Sequence, residues 1–142
     1  MKRTDIINAF VTRLETILKS SGYNTDAGKN VQRDRVEPLA DNEDYMIDVV
    51  AGAWSSEDES NYIRRNMNVT VAFAARGDDS VSIVADITAD VIKSIYSDQT
   101  FSGLVILTEE NGGAADKDVA EELFAWGEVD FRVLYDTTIG EI

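Results

Sequence analysis

From residue 64 to residue 76 the chain alternates in strict period two. Met67, Val69, Val71, Phe73 and Ala75 share one face, and Asn66, Asn68, Thr70, Ala72 and Ala74 share the other. Successive side chains of a strand point to opposite sides of its sheet, so this segment predicts a strand with one face against a core. The second face is polar at first and then merely small. That pattern suits a sheet whose far side is partly covered by something that approaches closely, a neighbouring subunit being one candidate.

A sheet face of this kind needs a cover, and two segments carry the helical spacing to supply it. In residues 4–20, Ile6, Ile7, Phe10, Val11, Leu14, Ile17 and Leu18 fall at i, i+3/i+4 and make one apolar stripe. Thr4 is the candidate N-cap, Asp5 sits in the first turn where the helix dipole favours an anion, and Gly22 is the natural stop. In residues 79–97 the stripe is Val81, Val84, Ile87, Val91 and Ile95, with Asp79 or Ser80 placed to cap the start and Asp86, Asp90 and Lys93 on the wet face.

The remaining segments fill in the sheet. Val31, Arg33 and Arg35 suit a short extended piece ended by Pro38, the chain's only proline. Tyr45, Ile47 and Val49 alternate with Met46, Asp48 and Val50 in a strand that continues towards Trp54. The polar, acidic run 55–60 reads as a hairpin loop or rim, and Leu104–Leu107 as a short buried strand. Glu109 to Asp118, with Gly112-Gly113, reads as a flexible loop. Residues 119–137 read as a long strand, with Gly127 marking a bulge or turn. The expected fold is therefore α/β of the α+β kind: a mainly antiparallel sheet with two amphipathic helices packed on one face. No repeat or linker divides the 142 residues, so 1–142 is one domain.

Residue inventory narrows the chemistry. The chain has no Cys and no His, which removes disulfides, the usual zinc sites, Ser–His and Cys–His catalysis and imidazole acid–base work. Twenty-seven acids against 13 bases leave a net charge of −14, which phosphate backbones repel, so sequence-specific nucleic-acid binding is not expected. No apolar run approaches the ~20 residues that span a bilayer. Asp5, Asn8, Arg13 and Glu15 interrupt the apolar positions after Lys2 and Arg3, so the start reads as mature and cytosolic. Asp41–Asp44 lacks the spacing of a calcium loop. Asp86 and Asp90 lack a third metal ligand, and Gly112-Gly113 lacks the Lys and Ser/Thr of a phosphate loop. The reading is a non-enzyme with no cofactor and no metal. A small Mg²⁺- or Ca²⁺-dependent enzyme built on Asp and Glu, and a cellular binding module, are the competing classes.

Contact residues are then the candidates. Trp54 and Trp126 lie near strand ends, with core burial as the ordinary reading and interface anchoring as the alternative. Arg33, Arg35, Arg64, Arg65 and Arg132 can fork onto carboxylates, and Glu57, Asp58 and Glu59 can face a basic partner or those arginines on another copy.

The sequence as a whole is an amphipathic N-terminal helix, an irregular segment running to a strand near Tyr45–Val50, a long acidic hairpin loop near Ser55–Ser60, the alternating strand Arg64–Arg76, a helix over Asp79–Ser97 and a closing strand Val129–Tyr135. In order, length and character it resembles the tail terminator family of long-tailed bacteriophages, also called minor tail or tail-completion proteins. The resemblance implies a virion tail subunit, assembled in the host cytoplasm. It implies a homo-hexameric ring on the tail tube protein that stops tube polymerisation and offers a surface to a head-completion protein. It implies no catalytic residue. Another neck or head–tail joining subunit is the nearest alternative.

Overall fold

In the computed structural model, which describes residues 1–35, 37–118 and 124–142, one five-stranded sheet carries two helices. In chain order the elements are α1 (Lys2–Leu14), β1 (Val31–Arg33), β2 (Tyr45–Glu59), β3 (Tyr62–Arg76), α2 (Ser80–Tyr96), β4 (Leu107–Asp118) and β5 (Phe124–Thr137). The sheet order is β1-β2-β3-β5-β4; β1 runs parallel to β2 and every other pair is antiparallel. This is the expected α+β arrangement, with β3 at its centre paired along nearly its full length to β2 and β5.

The alternation of β3 decides where the core lies. Met67, Val69, Val71, Phe73 and Ala75 are buried together with Ile47 and Val49 of β2, Val129, Phe131 and Val133 of β5, Ile6, Phe10 and Leu14 of α1, and Val84, Ile87, Val91 and Ile95 of α2. Both helices therefore cover the same face. Phe10 is the pivot: its ring lies 4.9 Å from that of Phe101 and 5.7 Å from that of Phe131, distances at which tilted aromatic pairs attract.

Several elements differ from the sequence reading, each for a local reason. Helix α1 begins at Lys2 with Met1 in the N-cap position, so Thr4 is a first-turn residue and not the cap. It ends at Leu14 and not near Ser20. The Arg13 carbonyl accepts from the Thr16 amide, the Thr16 hydroxyl and the Ser94 hydroxyl, and the Ile17 amide turns to the Leu14 carbonyl three residues back. The backbone then extends at Leu18, and Gly22, in the left-handed region, closes a separate short 3₁₀ turn at Lys19–Ser21.

The acidic run 55–60 is not a loop: β2 continues to Glu59, and the reversal takes place at Ser60 and Asn61. Residues 109–118 are not a loop either but most of β4, recruited by pairing to β5 despite poor strand propensity. Leu104–Leu107 is not a strand; only Leu107 belongs to one. Of the strand read over 119–137, 119–123 lie outside the described residues and the rest is β5. Gly127 sits in regular pairing with Phe73 and Ala115 and makes no bulge. A Cβ there would lie 2.8 Å from the Phe73 ring and 3.2 Å from Val84, so the glycine lets α2 and Phe73 close on the sheet. The irregularities fall instead at Ala51/Trp54 in β2 and Glu110/Gly113 in β4.

Asp90 is the largest revision. Read as part of a wet helix face with Asp86, it is 1% exposed. Its carboxylate accepts from the Asn24 amide (2.9 Å), the Thr25 amide (2.8 Å) and the Thr25 hydroxyl (2.8 Å), so it pins the turn after α1 to the middle of α2. Val81, read into the apolar stripe, is exposed beside a groove of about 340 Å³ with Ala85, Thr88, Ala115 and Ala125.

Candidate interaction surface

The side of the sheet that the helices leave uncovered divides into two parts. Towards one end, Met46, Ala72, Ala74, Phe124 and Trp126 line an apolar groove of about 460 Å³. Pro38 and Leu39 of this same chain line the groove too, and Leu39 is buried. The small residues of β3 thus make room, at least in part, for an internal neighbour. The Arg76 guanidinium ties that segment down through the Ala40 (2.9 Å) and Asp41 (3.0 Å) carbonyls. Trp126 is 39% exposed, its ring 5.6 Å from that of Phe124. It is a groove wall and not a core residue.

Towards the other end the surface is polar and charged. Arg64 makes a two-pronged contact with Asp136, Nε–Oδ1 2.9 Å and Nη2–Oδ2 3.2 Å, lies over the Tyr62 ring, and is directly across the ladder from Glu57. Arg132 is paired with Glu109 on the neighbouring strand. Thr70 donates to Asp130 at 2.7 Å. The two arginine–carboxylate pairs join neighbouring strands and favour this register of the sheet.

Arg65 points the other way, to the helix side, where it is a buried hub. It donates to the Thr137 hydroxyl (3.0 Å), the Ser56 hydroxyl (2.7 Å) and the Glu141 carbonyl, and its guanidinium stands 5.3 Å from the centre of the Trp54 ring. Trp54 remains 47% exposed. The distal hairpin therefore gathers Trp54, Glu57, Asp58, Glu59, Arg64 and Arg65, six of the residues singled out in the sequence. Trp126 is separated from Trp54 by about seven ladder positions, roughly 23 Å along the strands.

Arg33, which ends β1, and Arg35, just beyond it, are not brought to that surface. Arg33 donates to Asn8 of α1 and lies within 4.0 Å of Asp34. Arg35 is internal, its side chain 9% exposed. It forks onto Glu43 at 2.6 and 2.8 Å and reaches the Glu37 and Pro38 carbonyls. It is a brace of the 35–43 segment.

This brace has a pH signature. Hydrogen bonds from the Arg35 guanidinium, then from the Ala40 amide and the Asn30 side chain, hold the Glu43 carboxyl well below its ordinary value of 4.5. Nearby, burial pushes the Asp48 carboxyl up, against the pull of the Arg35 amide that donates to it. A depressed carboxyl adds stability that is fully present above the unfolded value and is lost as pH falls through the folded one. Thermal melts of the wild type and of Glu43→Gln should thus differ most above pH 4.5, and the gap should shrink as the pH is lowered from there. The comparison cancels the contribution of Asp48, which has the opposite sign. A gap that stays constant down to about pH 3 would contradict the assignment.

Each edge of the sheet is open over part of its length. On the β2 side, the Ile47 amide donates to the Asn30 carbonyl and the Val49 carbonyl accepts from the Asp34 amide, so those residues turn their backbone groups outward. The extra residue at Ala51/Trp54 shifts the alternation and hands the outward position to Trp54, Ser56 and Asp58. Among the described residues no strand pairs with them there. On the β4 side, the Thr108 carbonyl accepts from the Gln99 side chain (3.1 Å) and the Glu110 amide donates to the Tyr96 hydroxyl (2.9 Å). Past the bulge at Glu110/Gly113, β4 has no outer neighbour strand among the described residues.

Sequence reasoning missed this edge because it read β4 as a loop. It also missed Tyr96 and Gln99, whose only signal is a polar tip at the end of an amphipathic helix. Among the described residues no three His, Cys, Asp or Glu side chains are grouped to hold a metal ion, and no helix is long and apolar enough to cross a membrane. Neither the models of known protein families nor the curated proteins match this chain.

Proposed function

We propose that this chain is a structural subunit that assembles with copies of itself into a ring at the end of a bacteriophage tail tube. There it stops tube polymerisation and offers a joining surface to the head. The observation that carries this reading is the pair of open strand edges, distal β2 and β4, on opposite sides of one sheet. A head-to-tail contact between unlike edges closes into a ring if the rotation between neighbours permits. The resemblance in element order to tail terminators supplies the context, the tail tube protein and a head-completion protein as partners, and six as the copy number. No step requires a catalytic group, a cofactor or nucleic-acid readout.

Charge sets the conditions for assembly. Six copies at −14 carry −84, and both edges bear acids: Glu57, Asp58 and Glu59 on one, Glu109, Glu110 and Asp116 on the other. Charged edges keep free subunits apart. The protein is therefore expected to be monomeric when dilute and at low salt, and to associate as concentration rises and as added salt screens the repulsion. Sedimentation velocity across a salt series, with electron microscopy of the concentrated protein, measures this. Association that weakens with added salt, or a protein that never self-associates and never docks on purified tail tubes, would rule the reading out.

A further inference from the structure

Asn111 is the only asparagine in the chain followed by glycine, and the fold places the pair where a slow covalent rearrangement is least hindered. The two residues form the irregularity of edge strand β4: the ladder to β5 passes from Glu110↔Phe131 to Gly113↔Val129 and leaves both without a cross-strand partner. Both are exposed, and Gly112 adopts φ +96°, a conformation that glycine enters freely. Gly112 has no side chain to shield its own main-chain nitrogen. The other seven asparagines precede residues that carry a side chain, and three of them are also held in place. Asn66 and Asn68 are held in the β3 ladders and precede Met67 and Val69. Asn30 is tied by its side-chain amide to Glu43 (2.6 Å) and to the Tyr45 carbonyl (2.9 Å).

We propose that Asn111–Gly112 is a site of spontaneous deamidation that adds a carboxylate to the uncovered face of the sheet. The Gly112 nitrogen bonds to the Asn111 side-chain carbonyl carbon. The bond from that carbon to the amide nitrogen breaks, and ammonia leaves with the proton from Gly112. Water then opens the resulting five-membered imide at either carbonyl, giving aspartate or isoaspartate with no change of oxidation state. Each event takes the net charge from −14 to −15. The new carboxylate lies in a groove lined by Trp54, Asn66, Asn68 and Arg132, where it competes with Glu109 for Arg132. The isoaspartate form also lengthens the main chain of β4 by one carbon, which disturbs the register of the open edge.

The test is peptide mapping by mass spectrometry of the full chain incubated at neutral and mildly alkaline pH, with a parallel sample in urea. Asn111 should convert before any other asparagine in the folded protein, on the same time scale as in urea, with isoaspartate the major product. In Asn111→Gln the acidic species should be lost. An Asn111 that is still intact in the folded chain once the urea sample has converted by half would overturn the proposal, as would earlier conversion at another asparagine.

Discussion

Replacement of Asp90 by leucine should cost about 4 kcal/mol and lower the melting temperature by roughly 12 °C. Leucine is a good helix former, so the loss comes not from α2 itself but from the groups around the side chain. The Asn24 and Thr25 amides and the Thr25 hydroxyl all donate to this carboxylate. Leucine strands two part-buried backbone donors and one hydroxyl with no acceptor, and each such donor costs about 1–3 kcal/mol. Asp90→Asn should fall between leucine and wild type, because one oxygen remains while the new amide group faces existing donors. Circular dichroism melts of the three proteins decide it. A leucine variant as stable as wild type would mean that the Asp90 carboxylate does not hold the 23–26 turn.

That carboxylate also shows where the sequence stops being informative. Periodicity is a statement about one element's own faces. It placed α2 within a residue or two of Ser80–Tyr96, because Val84, Ile87, Val91 and Ile95 must face the core together. It could not separate Asp86 from Asp90, since the partners of Asp90 lie some 65 positions away in an aperiodic turn. The same division runs through the sheet. β3 was readable because a centre strand buries one whole face. Edge strand β4 was not, because Glu109–Asp118 holds glycine, alanine and charge, the composition by which edges avoid pairing with other chains.

The end of α1 was misplaced for a related reason. A long-range hydroxyl, Ser94, joins Thr16 in taking the Arg13 carbonyl while the apolar stripe runs on to Ile17. Of the candidate contact residues, Arg64 and Arg65 read towards acids of another copy, whereas the hairpin sets them across from Glu57 and Ser56 of their own chain. The internal role of Arg35 was not legible either, because it depends on the loop closing back from Glu43.

Two glycines of the same region provide the second large effect and a control for it. Gly28→Ala should cost about 3 kcal/mol and lower the melting temperature by roughly 10 °C. Gly28 packs against the unwound end of α1 and donates to the Ile17 carbonyl at 2.9 Å. A Cβ on it would stand 2.7 Å from the Glu15 and Ile17 carbonyl oxygens and 2.8 Å from that of Leu14. All three obstacles are main-chain atoms at or just past the end of α1, where Leu14 and Ile17 are fully buried, with Ala27 buried beside Gly28. No rotamer change relieves the overlap. The 27–29 turn must move away from α1, which breaks the Gly28–Ile17 bond and opens the core next to Ala27. Gly22→Ala, six residues earlier, separates steric from conformational causes. Nothing lies within 4 Å of its Cβ position, but φ is +92°, so only the left-handed backbone is penalised, by about 1 kcal/mol. Chemical denaturation of both variants should show Gly28→Ala losing clearly more stability than Gly22→Ala. Equal losses would mean that the 27–29 turn does not press on the end of α1 as closely as the structure has it.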